Sequence, residues 1–576
     1  MRFRLGVCVI AAAAFASPAH ARLPVPRHQN PIGAENVQPG TRSWLAADNP
    51  APAVEAYAGS VSALPGEAIQ FHVASRAPLS YRITILRLGW YGGDGARVMT
   101  CLPSCIGWNT AVPRPRPVPD PVTGEVAAMW PATDELEVPS DWTSGVYEAR
   151  VSPVDEGVGP PSLVLFVVRE PSAARSTALV DIPVNTWQAY NSWGGKSLYN
   201  FNSDGQIPAN HVSFARPYEP GGQDQFFRWS IQLVRFLERG HYDVSYTTDV
   251  DIDADPAELL RHRLVIVAGH GEYWTSRMRD AFDAARDAGT NLAFVGANIG
   301  YWQVRYADGR RTIVSYKLAP DPFPDRSQQT TLFRALAPPR YECALEGVQH
   351  EGAFLRRGEP TLDYTVNGAA LSDPWFDGTG FAAGDVVRGV VGPEWDRVVS
   401  PKDAWTCAFP NLEVLFHYEG APGNADAVRY TAASGARVFS AGSLGFVWAL
   451  DQTDPHDPPA DQRVQRFMGN ALDDLFRPQT PELFVTRSVY GDAAVIHVSE
   501  PDDSRLRGII VVRHRGSRRF SPERESVAIV CRGQRSLCID EHVPPDSTVR
   551  YAAVTFDDWG ASLPAFSAPV RRGRRP

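Results

Sequence analysis

Residues 263–305, RLVIVAGHGEYWTSRMRDAFDAARDAGTNLAFVGANIGYWQVR, decide the fold. The short apolar run Leu264–Ala268 predicts a buried parallel strand. After a polar elbow, Thr275 or Ser276 can cap a helix whose apolar residues recur every three or four positions. A second apolar run, residues 292–296, predicts the next strand. The stretch is therefore interpreted as a βαβ unit of a doubly wound parallel sheet.

Polar residues follow both predicted strands. His270 and Glu272 stand in the elbow after the first, and Asn298 follows the second. Ligands of open parallel sheets bind beyond the carboxyl ends of the strands, so we expect these three side chains to converge. Imidazole with carboxylate suits iron or zinc, and an asparagine amide can donate to a developing oxyanion. For His270 and Glu272, the alternative is an ordinary hydrogen bond within a loop. For Asn298, it is a structural role in the turn at the strand end.

Three further side chains are candidates for chemistry. Glu394 stands beside Trp395, an apolar neighbour that would raise the pKa of the carboxyl group and suit it to proton transfer. An exposed loop carboxylate is the alternative. Tyr147 and Tyr190 lie among aromatic residues, where the ordinary interpretation is a buried tyrosine with a satisfied hydroxyl. To bind a metal as phenolates, both tyrosines would need a cation acidic enough to remove the hydroxyl proton, and ferric iron is the hard cation that fits best.

Other chemical motifs are absent from the sequence. It contains no GxSxG elbow, no HExxH, no P-loop and no GxGxxG after a strand. Asp249, Asp251 and Asp253 alternate in DVDID as calcium-binding carboxylates do. The glycine and glutamate of an EF-hand do not follow them, so we predict a solvated strand end there.

Residues 1–21, MRFRLGVCVIAAAAFASPAHA, have the pattern of a secretory signal peptide, with an N-terminal membrane anchor as the alternative. No other apolar run approaches the ~20 residues of a membrane span. The formal charge is −9, and it becomes −11 without Arg2 and Arg4. Basic residues form a block only in the tail, so a nucleic-acid partner is not expected. We predict an exported protein, periplasmic or secreted.

Six cysteines remain after the leader, and an even number in an exported chain indicates disulfides. Two pairs lie close in sequence and favour local bridges, which would leave a longer third link, although other pairings are open. Paired cysteines cannot act as nucleophiles or thiolate ligands. The cysteines are Cys101 and Cys105, Cys343 and Cys407, and Cys531 and Cys538.

The chain is predicted to be a multidomain protein that combines α+β and α/β regions. Residues 22–53 look like an extended lead-in. Residues 54–170 have period-two strands and frequent turns, which predict an antiparallel Ig-like β-sandwich. Residues 171–478 alternate strands with helices, apart from an irregular insertion at 311–426 that we expect to cover the mouth of the sheet. Residues 479–576 predict a fibronectin III-like sandwich.

Several separated motifs resemble one family. VNTWQAYNSWGGKSLY, VSFARPY, the 263–305 stretch and GARVFSAGSLGFVWALD occur in the order found in the C-terminal region of the N,N-dimethylformamidase large (beta) subunit family. The upstream motifs RLGWYGGDGAR and SGVYEARV resemble that family as well, so that the similarity extends over roughly residues 54–475. The resemblance implies a central fold like that of class I glutamine amidotransferases, without their cysteine.

The resemblance also implies a mononuclear non-haem iron amidohydrolase. The metal would be held by Tyr147, Tyr190 and Glu272. His270 matches the histidine of the family's strand-end HxE motif, and Asn298 matches the asparagine that follows the next strand. Glu394 matches the family's further catalytic glutamate less closely. The family enzyme works in the cytoplasm with a small partner subunit, whereas this chain has an export signal. The resemblance therefore does not decide whether this chain needs a small subunit. A homo-oligomer is possible as well.

The leading hypothesis is an exported iron-dependent hydrolase of a small-molecule amide, in which metal-activated water attacks the carbonyl. One rival is a non-catalytic exported protein that binds carbohydrate or cell-envelope partners and carries a relic core. The other is a glycoside hydrolase, for which Glu272 and Glu394 are the available carboxylate pair.

Overall fold

A computed structural model describes residues 30–45 and 52–571, with gaps at 156, 220–221, 357, 400–406, 408, 488–492, 523–524, 526, 535 and 545–546. The described residues form a mostly β-sheet, multidomain protein with two compact units, residues 28–476 and residues 477–576. The predicted signal peptide lies outside the described residues. In the predicted extended lead-in, the structure instead contains helix α1 (Pro31–Asn36), capped by the side chain of Asn30.

The period-two segments of the first domain form strands, and further short strands complete two sheets. One sheet has the order β1-β3-β7, and a second has the order β2-β9-β8-β4-β5, with β6 paired to β4. Their inner faces enclose an apolar core that includes Ile69, Phe71 and Ile83. The strands are β1 (Val54–Ala58), β2 (Ser62–Ala63), β3 (Ala68–Ser75), β4 (Leu79–Leu88), β5 (Ala96–Leu102), β6 (Asn109–Ala111), β7 (Asp134–Glu137), β8 (Gly145–Pro153) and β9 (Ser162–Val168).

The next domain alternates strands and helices. Its strands are β10 (Ala178–Ile182), β11 (His211–Ser213), β12 (Val244–Thr248), β13 (Leu264–Ala268), β14 (Tyr273–Thr275), β15 (Asn291–Val295), β16 (Trp302–Ala307), β17 (Thr312–Val314), β18 (Thr331–Leu332), β19 (Gln349–Phe354), β20 (Leu362–Val366), β21 (Val386–Val391), β22 (Glu394–Arg397), β23 (Glu413–Tyr418), β24 (Ala425–Thr431) and β25 (Arg437–Ser440). Its helices are α2 (Val184–Tyr190), α3 (Asp224–Trp229), α4 (Ile231–Arg239), α5 (Asp249–Ala254), α6 (Ser276–Asp287), α7 (Cys343–Glu346) and α8 (Gln462–Leu475).

A nine-stranded sheet is the centre of this domain, with the order β12-β10-β13-β15-β25-β24-β23-β20-β21. The strands from β12 to β25 pair in parallel, and the rest pair antiparallel. Helices cover both faces. Val180 and Ile266 share a core with α4 and α8, whereas Leu179 and Val265 pack with α6. Alternate residues of each strand thus face opposite helical layers, as a doubly wound sheet requires.

The βαβ unit predicted at 263–305 is confirmed by the structure. The first strand has the predicted bounds Leu264–Ala268, and the second is Asn291–Val295. Thr275 is the N-cap of α6, where its hydroxyl accepts the backbone N–H of Met278. The register of β13 with β15 brings the carboxyl ends of the two strands side by side.

Two predictions about this domain were wrong. Asp249, Asp251 and Asp253 lie in helix α5 and are buried, because Thr248 caps a helix where we expected the strand to continue. Residues 311–426 are less irregular than expected. They contribute β20, β21 and β23, which extend the main sheet, and the smaller pair β19 with β22.

The C-terminal unit is built from two small sheets, β26-β27-β30 and β29-β28-β31-β32, with β33 paired to β31. The unit consists of strands throughout, as expected for a small sandwich. They are β26 (Glu482–Arg487), β27 (Ala494–Ser499), β28 (Gly508–Arg515), β29 (Ala528–Gly533), β30 (Leu537–Asp540), β31 (Thr548–Phe556), β32 (Ala565–Phe566) and β33 (Val570–Arg571).

Three disulfides have the predicted pairing. They join Cys101 to Cys105, Cys343 to Cys407, and Cys531 to Cys538. Across the described part of the chain, the helices are too short or too polar for any of them to traverse a bilayer.

Candidate active site

The candidate site lies at the carboxyl ends of the parallel strands. From β10 the chain first adds β12 on one side and then β13 on the other, so the direction of winding reverses between β10 and β13. Ligands of doubly wound sheets bind in the crevice at such a switch point. Tyr190 follows β10 at the end of α2, Glu272 follows β13, and Asn298 follows β15.

A glycine sets the turn that carries two of these side chains. Gly269 follows β13 directly and has a φ of 90°, a conformation that residues with a Cβ rarely adopt. A Cβ there would lie 2.5 Å from the carbonyl oxygen of Trp229. Beyond the turn, the hydroxyl of Thr186 accepts the backbone N–H of Glu272 at 3.0 Å. The backbone thus holds His270 and Glu272 at the strand end.

Two phenols converge on the carboxylate of Glu272. The hydroxyl of Tyr190 donates to Oε2 at 3.1 Å, and that of Tyr199 lies 2.9 Å from Oε1 and 2.8 Å from Oε2. The two rings contact each other with centroids 4.2 Å apart. Glu272 is only 3% exposed. Three oxygen-bearing side chains therefore meet at one buried point.

Lys317 brings a positive charge to the same cluster. Its ammonium group donates to the hydroxyl of Tyr273 at 2.6 Å, and that hydroxyl donates to Tyr199 at 2.6 Å. Nζ lies 4.0 Å from Glu272 and 3.5 Å from the centroid of the Tyr199 ring. Burial lowers the pKa of Lys317 to about 8, although the charge of Glu272 opposes that effect. Lys317 is thus placed to stabilise negative charge on the phenols.

His270 links Glu272 to the second candidate carboxylate. Its Nε2 lies 3.5 Å from Oε2 of Glu272 and 3.4 Å from Oε2 of Glu394. Its Nδ1 lies 3.1 Å from Oε1 of Gln225, an oxygen that can only accept a hydrogen bond. Burial lowers the pKa of His270, but Glu394 and Glu272 outweigh it and the net shift is upward.

Asn298 holds Glu394 on its other side. The amide Nδ2 of Asn298 donates to Oε2 of Glu394 at 2.7 Å. The backbone N–H of Asn298 donates to both carboxylate oxygens of Asp396, each at 3.0 Å. The residue adopts a φ of 52°, and this anchored left-handed turn aims its side chain at Glu394. Beyond Asp396, the ring of His350 lies 3.3 Å from its carboxylate.

The prediction that Trp395 raises the pKa of Glu394 was wrong. Burial does raise it, but the charge of His270, hydrogen bonds from His270 and Asn298, and the charge of His350 outweigh burial and lower the pKa to about 2. Trp395 follows Glu394 in an extended strand and therefore points to the opposite face. Glu394 is consequently a carboxylate at neutral pH.

Burial also raises the pKa of the site tyrosines, and for them it is the largest effect. It raises the pKa of Tyr190 and Tyr199 well above the usual range, and the charge of Glu272 raises it further. The pKa of Tyr273 is raised for the same reasons. In the structure, the three phenols are therefore neutral hydrogen-bond donors.

Tyr147 does not join this cluster, which corrects the ligand set implied by the family resemblance. Its hydroxyl donates to the carbonyl of Thr143 at 2.7 Å, and its ring stacks on Trp142 and Phe166 within the sandwich. Because side chains alternate along β8, Val146 faces the α/β domain and Tyr147 faces the sandwich core. Tyr199 is the second tyrosine on Glu272.

The segment between Tyr190 and Tyr199 is held by one buried arginine. Arg216 is fully buried and donates to the carbonyl oxygens of Asn191 at 2.9 Å, Trp193 at 3.2 Å and Lys196 at 2.8 Å. The planar guanidinium satisfies backbone groups that a short irregular segment leaves without partners. Arg216 therefore fixes the relative position of the two phenols.

The sequence interpretation missed Tyr199, Tyr273, Lys317 and Gln225. Tyr273 directly follows Glu272, and Tyr199 closes the same aromatic segment that contains Tyr190, so proximity in sequence was an available signal for both. Lys317 and Gln225 arrive from distant segments, for which no local pattern exists. In the described residues, no group of three or more His, Cys, Asp or Glu side chains is arranged to hold a metal.

The chain is similar to several solved structures at low sequence identity and low TM-score. Titin kinase with its flanking domains is 16% identical over 16% of this chain and 17% of that chain, with a TM-score of 0.14. The twitchin kinase region of C. elegans is 14% identical over 17% of each chain, with a TM-score of 0.15. The chicken CNTN1 FN1-FN3 domains are 9% identical over 38% of this chain and 60% of that chain, with a TM-score of 0.15. This chain thus spans less than a fifth of the first two.

Sequence comparison gives a clear family. No curated protein matches the chain. A family described as "N,N-dimethylformamidase beta subunit-like, C-terminal" matches residues 82–460, about two thirds of the sequence. The match includes β10, β13 and β15 and every residue of the cluster around Glu272 and Glu394. The chain therefore belongs to the N,N-dimethylformamidase beta subunit-like family.

Proposed function

We propose that this protein is an exported, iron-dependent amide hydrolase whose active site is the cluster around Glu272. Family membership supports an amide as the substrate. The observation that carries the proposal is the convergence of Tyr190 and Tyr199 on the Glu272 carboxylate within 3.1 Å. Two phenols and a carboxylate form an all-oxygen donor set of the kind that hard cations prefer.

The residues present fit a ferric ion. Tyr190, Tyr199 and Glu272 would hold it, and the two phenols would lose their protons on binding. When bound, the ion would supply Lewis-acid polarisation of an amide carbonyl and a more acidic water. The ammonium of Lys317 would offset the negative charge of three anionic oxygens, since it already contacts Tyr273 and the face of Tyr199.

The other residues would handle protons and orient the substrate. His270 stands between Glu272 and Glu394, which places Nε2 to pass a proton between the metal side of the site and Glu394. Asn298 orients Glu394 through Nδ2 and retains a second amide hydrogen for an oxyanion.

The central domain is proposed to be related to class I glutamine amidotransferases. The parallel strand order and the site at the switch point support this relationship. Export is supported by the pattern of residues 1–21 and by three disulfides, which persist in oxidising compartments.

The metal and the reaction can be tested together on the purified mature chain. We expect near-stoichiometric iron by elemental analysis, and hydrolysis of small amides but not of glycosides. Tyr199→Phe and Glu272→Ala should lose the iron, whereas Tyr147→Phe, at a fully buried tyrosine outside the cluster, should keep it. A folded, metal-free and inactive wild type would refute the proposal and favour the non-catalytic binding protein. Iron retained in Tyr199→Phe but lost in Tyr147→Phe would restore the ligand set implied by the resemblance.

A further inference from the structure

The carboxylate of Asp396 has one basic partner in the described part of the chain. Asp396 is 2% exposed, and both of its oxygens accept the backbone N–H of Asn298. Nδ1 of His350 lies 3.3 Å from Oδ1 of the same carboxylate. A buried carboxylate is unfavourable as an ion unless it is hydrogen-bonded and paired with a positive charge. His350 is therefore placed to supply that charge.

The pairing of β19 with β22 sets His350 beside Asp396. The two residues are direct cross-strand partners in this antiparallel pair, so their side chains share one face. Nδ1 of His350 also lies 3.1 Å from the backbone carbonyl oxygen of Trp395. Carbonyl and carboxylate oxygens can only accept a hydrogen bond, so Nδ1 carries a hydrogen. Because His350 is only 5% exposed, these contacts at Nδ1 orient its ring.

The charges around the ring favour the protonated form of His350. Burial lowers its pKa, but the hydrogen bond and charge of Asp396, with the charges of Glu394 and Glu272, raise the pKa to about 9. His350 is therefore an imidazolium at neutral pH. The titratable and charged groups around the His350–Asp396 pair are Glu394 of β22, Glu272 and His270 beyond β13, Tyr301 after β15, Glu346 of α7, and Arg334, which donates to the backbone carbonyl of His350.

We infer that His350 is a positioning residue whose imidazolium holds Asp396, and through Asp396 the Asn298 turn that orients Glu394. Its effect on turnover rests on the proposed function, in which Glu394 takes part in proton transfer. Three contacts in series support this order. Nδ1 of His350 lies 3.3 Å from Asp396, the backbone N–H of Asn298 donates to Asp396 at 3.0 Å, and Nδ2 of Asn298 donates to Glu394 at 2.7 Å. None of these contacts involves a proposed metal ligand.

The charge of His350 can be measured on the mature wild type without any substitution. Deuterium exchange of the imidazole C2 hydrogen, followed by mass spectrometry of the peptide that contains His350, gives the midpoint of its ionisation. We expect a midpoint at about pH 9, above the ordinary value of about 6.5 for histidine. A midpoint at or below the ordinary value would overturn the inference.

The effect on the site can be measured with His350→Gln, which keeps a hydrogen-bond donor and removes the charge. We expect kcat/KM of the iron-loaded enzyme for N,N-dimethylformamide to fall about 10- to 100-fold at pH 7, mainly in kcat, with iron content unchanged. The difference from the wild type should shrink at pH 10, where the wild type loses the same charge. His417→Gln, at a histidine of β23 outside the candidate site, should follow the wild type.

The outcomes separate this inference from the proposed function. Unchanged kcat/KM in a folded His350→Gln variant, or an equal decrease at pH 7 and pH 10, would overturn the inference and leave the amidase intact. Loss of iron together with activity would also overturn it, because His350 would then support the whole site. If no amide is hydrolysed, the proposed function fails, and the ionisation midpoint still decides whether His350 is the counterion of Asp396. The same midpoint decides this if the variant does not fold.

Discussion

Arg87 of β4 and Glu238 of α4 form an ion pair in which both side chains are fully buried. Both guanidinium nitrogens contact the carboxylate at 2.8 Å, and Tyr246 donates to the same group at 3.0 Å. Because α4 belongs to the α/β domain and β4 to the sandwich, this pair fixes the two domains to each other. The site and the sandwich are consequently parts of one body.

Glu238→Gln should destabilise this body by about 3–5 kcal/mol, because it leaves the charge of Arg87 buried without a counterion. Urea unfolding followed by tryptophan fluorescence measures the loss. Arg228→Gln removes an exposed pair with Asp224 and should cost no more than about 1 kcal/mol. Equal effects of the two substitutions would contradict the importance of the buried pair.

Arg216→Lys should loosen the segment between the two site tyrosines. A lysine ammonium cannot reproduce the planar fork that reaches three carbonyl groups, so we expect a loss of about 2 kcal/mol and faster hydrogen exchange over residues 191–199. Arg116→Lys is the matched control, since Arg116 contacts the same segment through the ring face of Trp193 but is half exposed. Unchanged exchange in Arg216→Lys would show that the segment is held by other contacts.

Asp396→Asn should lower kcat/KM for the best amide about 10- to 100-fold, the usual effect of removing a group that orients an active-site residue. The substitution weakens the anchor of the Asn298 backbone and leaves the proposed metal ligands in place. Iron content should therefore stay at the wild-type level. Loss of iron together with activity would mean that Asp396 supports the fold of the whole site instead.

The pH dependence of the free energy of unfolding should show the ionisation of the Glu148 carboxyl group. This carboxyl is fully buried with one oxygen unpaired, and burial raises its pKa from 4.5 to about 7 although Arg150 opposes the shift. Between pH 4.5 and 7 the folded state keeps a proton that the unfolded state has lost. The free energy of unfolding should therefore decrease as pH rises through this window, by about 3 kcal/mol from this group.

Glu148→Gln should flatten that profile, which urea midpoints at pH 5 and pH 8 would show. Glu137→Gln, at an exposed position of the same domain, should follow the wild type. A profile in which stability rises between pH 5 and 8 in the wild type and is unaffected by Glu148→Gln would contradict the assignment.

Removal of disulfides should have effects that follow loop length. Cys343 and Cys407 are 64 residues apart, and Cys101 and Cys105 are 4 apart. Loop entropy predicts losses of about 4 kcal/mol for the first bridge and about 2 kcal/mol for the second when each pair is changed to alanine. Chemical denaturation under non-reducing conditions measures both. The reverse order would show that local structure, not loop closure, dominates.

The sequence predicted those parts of the site that follow from local rules. The strands before His270, Glu272 and Asn298 are short apolar runs, and strands that pair in parallel deliver their ends to one edge. Tyr199 and Lys317 were not predicted to be site residues, because each reaches Glu272 through tertiary packing of irregular segments. Tyr147 was wrongly assigned to the metal site, although period-two alternation puts it with Ala149 and Val151 inside the sandwich. A family resemblance can name a residue type without identifying the residue that supplies it.

The long connection between β15 and β25 supplies side chains to the candidate site. β15 and β25 are neighbours in the sheet, and the chain that connects them contains Lys317, Glu394 and Asp396. Glu272 follows β13, a strand inside the sheet. Substitutions in the connection would therefore change the charges around Glu272 without altering the strand that carries it.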